Sequence, residues 1–160
     1  SNHRSHLDAF FMLSNVTGVH ILAKKSLFFV PFLGLAMWAT RQIPVKRKNQ
    51  EAFLGAMQEI RQRLADGERV HIFPEMTRCP SGFAGLQPFA LMPFQAAQQA
   101  KVSVVPVVFQ NTDRVWPKES MGINVGVQVI AKSLDPIPSN QFKTAQELRE
   151  YVQNVMLKAL

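Results

Sequence analysis

The chain has 160 residues, of which 47% are hydrophobic and 18% are charged. This balance predicts a globular protein that is long enough to bury a sizeable core, and it excludes a disordered chain. A formal net charge of +7 favours anionic partners, and no zinc-finger, helix-turn-helix or RNA-binding pattern supports nucleic acid. With a single cysteine, Cys79, the chain cannot form an internal disulfide bond.

Apolar patterns predict strands and helices that alternate along the chain. The predicted strands are 20–24, 42–45, 69–73, 102–109 and 123–131. The predicted helices are 9–13, 49–67, 93–101 and a last helix that begins at a capping box from Thr144 to Glu147. This alternation indicates an α/β fold with a mixed, largely parallel sheet flanked by helices.

The longest uncharged apolar run covers residues 27–39, and the polar amino-terminal residues contain no signal peptide. The run is too short to span a bilayer, which needs about 20 apolar residues. Cations flank it on both sides: Lys24, Lys25, Arg41, Lys46, Arg47 and Lys48. Such a segment either lies on an anionic membrane surface or forms a buried core helix with solvated ends.

The opening segment SNHRSHLD crowds polar residues ahead of the first predicted helix. If the helix begins near Ser5, His3 can fold back from the incoming loop to meet Asp8. An aspartate on one imidazole nitrogen would fix the tautomer and leave the other nitrogen free to take a proton. Alternatively, Asp8 only caps the helix.

A metal site is a third interpretation of the same segment. It would need His3, His6 and Asp8 to converge on one ion, with further ligands from elsewhere in the chain. The other two histidines, His20 and His71, lie in apolar strands, where a core position is more usual.

A second polar cluster, FPEMTRC, follows the predicted strand 69–73. Loops at strand ends are common ligand sites in α/β sheets. Arg78 offers a planar fork suited to a phosphate, and Glu75 could orient that arginine or accept a substrate hydroxyl. The alternative is an ordinary Glu/Arg pair at a surface turn.

Two further segments, KKSLFFVPFLGLAMWATRQIPVKR (24–47) and VVPVVF (104–109), complete an ordered set with the two polar clusters. In chain order, the first block is NHRSHLD, the second is 24–47, the third is FPEMTRC and the fourth is VVPVVF. Together the four resemble the sequence blocks of the glycerolipid acyltransferase family, of the lysophosphatidic acid acyltransferase type. FPEMTRC is similar to the block Phe-Pro-Glu-Gly-Thr-Arg-Ser. Matching positions in the other three blocks are Asn2, His3, Asp8, Lys25, Pro31, Gly34, Arg47 and Pro106. The resemblance covers nearly the whole chain.

The resemblance implies a glycerol-3-phosphate acyltransferase-like fold and a direct acyl transfer. His3, held by Asp8, would be the general base on the acceptor hydroxyl, which attacks the thioester of acyl-CoA or acyl-carrier protein. Glu75, Thr77, Arg78 and Arg47 would form the substrate-binding site for the acceptor's phosphate. No cofactor, metal or cysteine nucleophile is implied, and the acceptor would be a lysophospholipid, with 1-acylglycerol-3-phosphate first among the candidates.

Three departures from the family pattern bear on the acceptor. Met76 stands where the family usually has glycine, and Cys79 stands in place of a serine. Residues 90–92 are Ala-Leu-Met where a Lys-Lys-Gly stretch is common. Fewer cations near the site make a less anionic headgroup conceivable.

The resemblance also implies a single acyltransferase domain over 1–160, without amino-terminal membrane-anchoring helices. This domain would associate with the cytoplasmic face of the cell membrane. Its role would lie in phospholipid biosynthesis or remodelling. Two other classes remain open on the residues alone, a noncatalytic lipid- or phosphate-binding domain of the same fold and a metal-dependent hydrolase.

Overall fold

The computed structural model describes residues 1–46, 50–80, 82–120 and 122–160. The chain divides into two compact units. One unit combines Ser1–Asn15 with Phe73–Leu160, and the other is the continuous segment Val16–Ile72. The polar clusters of the sequence fall in the first unit, and the long apolar run falls in the second.

The continuous unit is built on a three-stranded parallel sheet. Its strands are β1 (Val19–Lys24), β2 (Ile43–Val45) and β3 (Arg69–His71), in the order β2-β1-β3. Helix α3 (Gln50–Ala65) connects β2 to β3 and packs against both strands. Met57 and Ile60, on the predicted apolar face of this helix, are buried. Asn49, the predicted cap, lies outside the described residues.

The apolar run folds as two short helices. A 3-10 helix covers Lys25–Phe29, and α2 covers Leu33–Ala39. Gly34 is required at their junction, because a Cβ there would lie 2.1 Å from the carbonyl oxygen of Phe28. Only Phe28, Gly34 and Met37 of this stretch are buried, which is evidence against the core-helix alternative.

The other unit carries helices around two short antiparallel strand pairs. Its helices are α1 (Leu7–Asn15), α4 (Met92–Gln99), α5 (Thr112–Val115) and α6 (Ala145–Ala159). Its strands are β4 (Ser103–Val104), β5 (Val107–Gln110), β6 (Ile130–Ser133) and β7 (Ile137–Pro138), paired as β4-β7 and β5-β6. The core here comprises Phe89, Phe94, Val108, Ile137, Leu148, Val152 and Met156. The predicted α/β class is thus confirmed, with parallel strands in one unit and antiparallel pairs in the other.

Two predicted strands differ from those observed. The run 102–109 divides into β4 and β5, which belong to different sheets, because Pro106 cannot donate a ladder hydrogen bond. Of the run 123–131 only the end is a strand, β6. Gly126 has a φ of 79° and interrupts the extended backbone upstream of it.

Candidate active site

The first block is fastened to strand β5 by Asn2. Its side-chain amide donates to the carbonyl of Phe109 at 2.9 Å and accepts the Phe109 N–H at 2.7 Å. Asn2 is fully buried. This pair of hydrogen bonds joins the segment before α1 to a strand more than 100 residues away. The backbone is therefore fixed at the residue immediately before His3.

Asp8 performs both of the functions that its position predicted. His3 Nδ1 lies 3.0 Å from Asp8 Oδ2, and the same oxygen accepts the backbone N–H groups of Arg4 (2.7 Å) and Ser5 (2.8 Å). Asp8 therefore caps the first turn of α1 and also holds the imidazole. It is fully buried, so solvent does not weaken these bonds.

The contacts of His3 define its tautomer. A carboxylate faces Nδ1, so Nδ1 carries the hydrogen and Nε2 keeps a lone pair. Among the described residues, no hydrogen bond engages Nε2. The ring stacks on Phe73, with 3.9 Å between ring centres and 20° between planes. The His3 side chain is 17% exposed, so a substrate can reach the imidazole.

Glu75 lies beneath the main chain of His3. Its Oε1 accepts the His3 N–H at 2.8 Å. Its Oε2 accepts the Cys79 thiol at 2.8 Å and the Gln87 N–H at 2.9 Å. Glu75 is 5% exposed, and within the described part of the chain no bond joins it to Arg78.

Cys79 is buried within this network. Its N–H donates to the His3 carbonyl at 2.8 Å, and its thiol donates to Glu75. Burial, with the hydrogen bond to Glu75 second in size, raises the pKa of the Cys79 thiol. A buried neutral thiol is a poor nucleophile.

Arg78 leaves part of its guanidinium unpaired. Its Nη1 is buried and has no hydrogen-bond partner among the described residues. Its carbonyl accepts from Gln87 Nε2 at 3.1 Å and from Lys118 Nζ at 2.9 Å, which fixes the backbone from which the side chain extends. An unpaired buried arginine donor is costly without an anion to bind.

The neighbours of Arg78 in the loop have distinct features. Met76 has a φ of 57°, the left-handed conformation that glycine adopts without strain. Met76 therefore occupies a backbone conformation that suits the glycine usual at this position in the family. Thr77 is exposed in the same turn. Arg47, the remaining predicted phosphate ligand, lies outside the described residues.

His6 lies at the surface beside the tryptophan that follows α5. Its ring centre is 5.2 Å from that of Trp116. Partial burial lowers the pKa of His6, and the positive charge of Arg78 lowers it further. The predicted metal alternative gains no support, since the described ranges contain no group of three His, Cys, Asp or Glu residues that could hold an ion.

Sequence reasoning missed three residues that build this site. Gln87 bonds both Glu75 and Arg78, and Lys118 bonds Arg78. Arg4 donates to the carbonyls of Phe83 at 3.1 Å and Gly85 at 3.0 Å, which anchors the loop after the third block. No local pattern indicates these partners, because each contact spans between nine and 81 positions of the sequence.

Comparison with known proteins identifies the family. A sequence model described as Acyltransferase matches residues 1–110. The chain belongs to this family, and the resemblance expected from the four blocks is confirmed.

Particular relatives refine that assignment. A 1-acyl-sn-glycerol-3-phosphate acyltransferase of Saccharomyces cerevisiae is 31% identical over 158 residues, which cover 97% of this chain and 51% of the relative. The human 1-acyl-sn-glycerol-3-phosphate acyltransferase alpha is 33% identical over 141 residues, 87% of this chain and 49% of the relative.

A solved structure agrees with these relatives. The crystal structure of the 1-acyl-sn-glycerophosphate (LPA) acyltransferase PlsC from Thermotoga maritima matches with a TM-score of 0.85 and 25% identity, over 99% of this chain and 62% of that one. The chain spans about half the length of the two relatives named above.

Proposed function

We propose that the protein is an O-acyltransferase of phospholipid biosynthesis or remodelling. It transfers a fatty acyl group from acyl-CoA or acyl-carrier protein to the hydroxyl of a lysophospholipid-like acceptor, with 1-acylglycerol-3-phosphate as the first candidate. The observation that carries the proposal is the His3–Asp8 hydrogen bond of 3.0 Å, which leaves the second imidazole nitrogen unengaged by the described residues. Membership of the Acyltransferase family supports the same reaction.

The proposed reaction is a direct displacement. Nε2 of His3 takes the proton of the acceptor hydroxyl while the oxygen attacks the thioester carbonyl. The carbon–sulfur bond then breaks, and the proton passes from His3 to the leaving thiolate, so the products are an ester and a free thiol. Asp8 stabilises the imidazolium that forms between the two steps. The step needs no cofactor and no acyl-enzyme, and the buried Cys79 thiol takes no part as a nucleophile.

Arg78 is the proposed ligand of the acceptor's phosphate. Its buried Nη1 lacks a partner in the described part of the protein, and an arginine fork can donate two charge-assisted hydrogen bonds to one phosphate. Arg47 and Thr77 stay predictions for the same site. Sequence reasoning also placed Glu75 there, but its carboxylate is occupied by protein donors.

A second surface supports a membrane partner. Six large apolar side chains of the stretch 27–39 are exposed and are called the apolar patch: Leu27, Phe29, Val30, Phe32, Leu35 and Trp38. Exposed lysines lie at its amino-terminal side, Lys24 and Lys25. Apolar side chains beside cations match an anionic lipid surface, where the rings enter the acyl boundary and the lysines meet the headgroups.

The backbone presents one of these rings at a cost. Phe32 has φ 61° and ψ −49°, and the N–H of Leu33 donates to the carbonyl of Pro31 at 2.6 Å. This is a γ-turn with positive φ at its centre, which is rare and strained for a non-glycine residue. Phe32 is nevertheless 90% exposed, so the strain supports a surface role for its ring.

Membrane association is therefore part of the proposal, at the cytoplasmic face of the cell membrane. Within the described residues no helix is both long and apolar enough to cross a bilayer. The proposed partner of the apolar patch is a lipid surface of anionic headgroups. The alternative is that a further segment of the protein covers the patch, and a vesicle-binding experiment distinguishes the two.

The deciding experiment is an acyl-transfer assay on the full-length protein. Labelled acyl-CoA and labelled acyl-carrier protein are offered with a panel of lysolipids that differ only in headgroup. We expect transfer to 1-acylglycerol-3-phosphate, and a loss of roughly 10² to 10⁴ in turnover for His3→Ala, which removes the general base. Normal transfer by His3→Ala would end the mechanism. Lysolipid binding without any transfer would indicate the noncatalytic binding domain instead.

A further inference from the structure

The main chain of His3 is held from both sides by the third block. Its N–H donates to Glu75 Oε1 at 2.8 Å, and its carbonyl accepts the N–H of Cys79 at 2.8 Å. Asp8 fixes the ring at Nδ1, and Phe73 supports its face. The orientation of the imidazole is thus determined by its main chain, its ring nitrogen and its ring face together.

Glu75 has little capacity left for a substrate. Its two oxygens accept three hydrogen bonds, from His3, Cys79 and Gln87, and only 5% of the residue is exposed. A buried carboxylate is tolerated when protein donors compensate its lost hydration, as they do here. Because these donors come from three separated segments, the carboxylate connects the first block to the third block and to the segment that follows it.

The geometry points to Glu75 and Cys79 as positioning residues for His3, with Glu75 acting through the His3 main chain rather than as a ligand of the acceptor. This inference rests on the proposed function, because it concerns the base of that reaction. Glu75 and its three donors, the His3 N–H, the Cys79 thiol and the Gln87 N–H, are called the clamp. If the clamp loosens, Nε2 moves relative to the acceptor hydroxyl and the thioester. A displacement of about 1 Å in such a geometry can cost on the order of 10² in rate.

The thiol of Cys79 supplies one of the three donors. It stands where the family block has serine, and its S–H fills the place of a hydroxyl donor to Glu75. A hydroxyl is the stronger donor. Cys79→Ser therefore keeps the clamp, whereas Cys79→Ala removes one donor and leaves the other two in place.

The experiment measures kcat and the acceptor KM separately for four variants of the full-length protein. In Glu75→Gln the amide oxygen can still accept from His3, but its NH₂ group faces two donors, so the clamp breaks. We expect kcat to fall about 10- to 100-fold while the acceptor KM changes little. In Cys79→Ala, kcat should fall by a smaller factor. In Cys79→Ser, kcat should stay close to the wild-type value. Glu150→Gln, an exposed change on α6, is the matched control.

A spectroscopic measurement keeps the inference testable without turnover. Nitrogen-15 NMR of the imidazoles should show a sharp, protonated Nδ1 for His3 in the wild type and in Cys79→Ser. In Glu75→Gln this signal should broaden or shift, since the side chain that accepts the His3 N–H loses its hydrogen bonds from Cys79 and Gln87 and no longer holds the His3 main chain firmly. An unchanged His3 spectrum in Glu75→Gln would overturn the inference.

The kinetic outcomes separate the inference from the proposed function. A raised acceptor KM with unchanged kcat in Glu75→Gln would make Glu75 an acceptor ligand and overturn the positioning role alone. If the wild type transfers no acyl group to any lysolipid, the proposed function fails, and the NMR result still decides whether the clamp exists. Normal kcat in both Glu75→Gln and Cys79→Ala would overturn the clamp and leave the acyl transfer standing.

Discussion

The active-site loops and the apolar patch differ in which side chains they bury and which they expose. Around His3, hydrogen bonds between protein groups fix the polar side chains, and Asn2, Asp8 and Glu75 are all buried. In the apolar patch, large rings such as Phe29 and Phe32 are left 77% and 90% exposed. In the active-site loops, buried polar groups fix the geometry of the site. In the apolar patch, the protein exposes apolar surface that a folded protein would ordinarily cover.

The difference teaches that the two regions should respond differently to substitution. In the loops a small change of shape or charge disturbs a network, so rates should fall steeply while surface binding is kept. In the patch each side chain contributes area independently, so effects should be moderate and additive, and they should appear in lipid binding rather than in the chemical step.

The largest effect is expected from Asp8→Asn. The amide oxygen can still accept from Arg4 and Ser5, so the helix cap is partly kept, but the charge that stabilises the imidazolium is lost. We expect kcat to fall roughly 10² to 10⁴-fold, with the secondary structure retained by circular dichroism. Normal turnover would mean that Asp8 acts only as a helix cap. The buried network around His3 would then have no demonstrated effect on the rate.

The apolar patch is tested by charge insertion. Burying one phenylalanine contributes roughly 1.5 to 3 kcal/mol, so Phe29→Glu or Phe32→Glu should weaken sedimentation with anionic vesicles about tenfold or more. Leu54→Glu is the matched control, because Leu54 is exposed on α3 outside the patch. Transfer to a soluble short-chain acceptor should be kept in all three variants.

Two other results would change this interpretation of the patch. Unchanged vesicle binding together with a loss of cooperative unfolding would mean that Phe29 and Phe32 stabilise the protein itself. Binding that persists in the charge variants and is lost on reversing Lys24 and Lys25 would assign the membrane contact to the cations alone.

Arg78 should give a smaller effect than the catalytic pair, and on a different parameter. Arg78→Lys keeps the charge but loses the fork, so the acceptor KM should rise several-fold, and Arg78→Gln should raise it further, on the order of 10- to 100-fold. The donor KM should change less. A loss confined to donor affinity would instead assign Arg78 to the phosphates of the carrier.

The same variants carry a reporter in His6. Because the charge of Arg78 helps to lower the pKa of His6, removing that charge in Arg78→Gln should raise this pKa toward its ordinary value. Arg78→Lys should leave it nearly unchanged. An NMR titration measures the pKa of His6 in both variants. Equal pKa values in Arg78→Gln and Arg78→Lys would mean that the positive charge at position 78 does not act on this ring.

Local patterns predicted those features whose partners are close in sequence. The His3–Asp8 pair spans five positions, and the capping box of α6 is observed, with Thr144 accepting the Glu147 N–H at 3.2 Å. Such contacts follow from chain geometry alone. The resemblance added the assignment of the blocks, which no single spacing could supply.

The rest depends on tertiary contacts that no local pattern encodes. Glu75 looked available for a substrate because its donors, Cys79 among them, cannot be inferred from side-chain type. The exposure of the stretch 27–39 was equally undetermined, since an uninterrupted apolar run has no polar face to show which side meets solvent. The division at Pro106 required knowledge of which strands pair on each side of it.

The smallest effect is expected from Met76, and it concerns the cost of the active-site loop. Its φ of 57° is strained for a side chain but free for glycine. Met76→Gly should therefore stabilise the protein by about 0.5 to 1 kcal/mol after the higher entropy of glycine in the unfolded state is subtracted.

Met76→Ala is the control that separates backbone from side chain, since it keeps the strain and removes most of the methionine. Denaturant unfolding should rank the free energies of unfolding with the glycine variant above the wild type and the alanine variant at or below it. If glycine is the less stable, the methionine side chain contributes more by packing than its backbone conformation costs. In that case the loop around Glu75 is held by apolar contact as well as by hydrogen bonds, and the contrast with the apolar patch narrows.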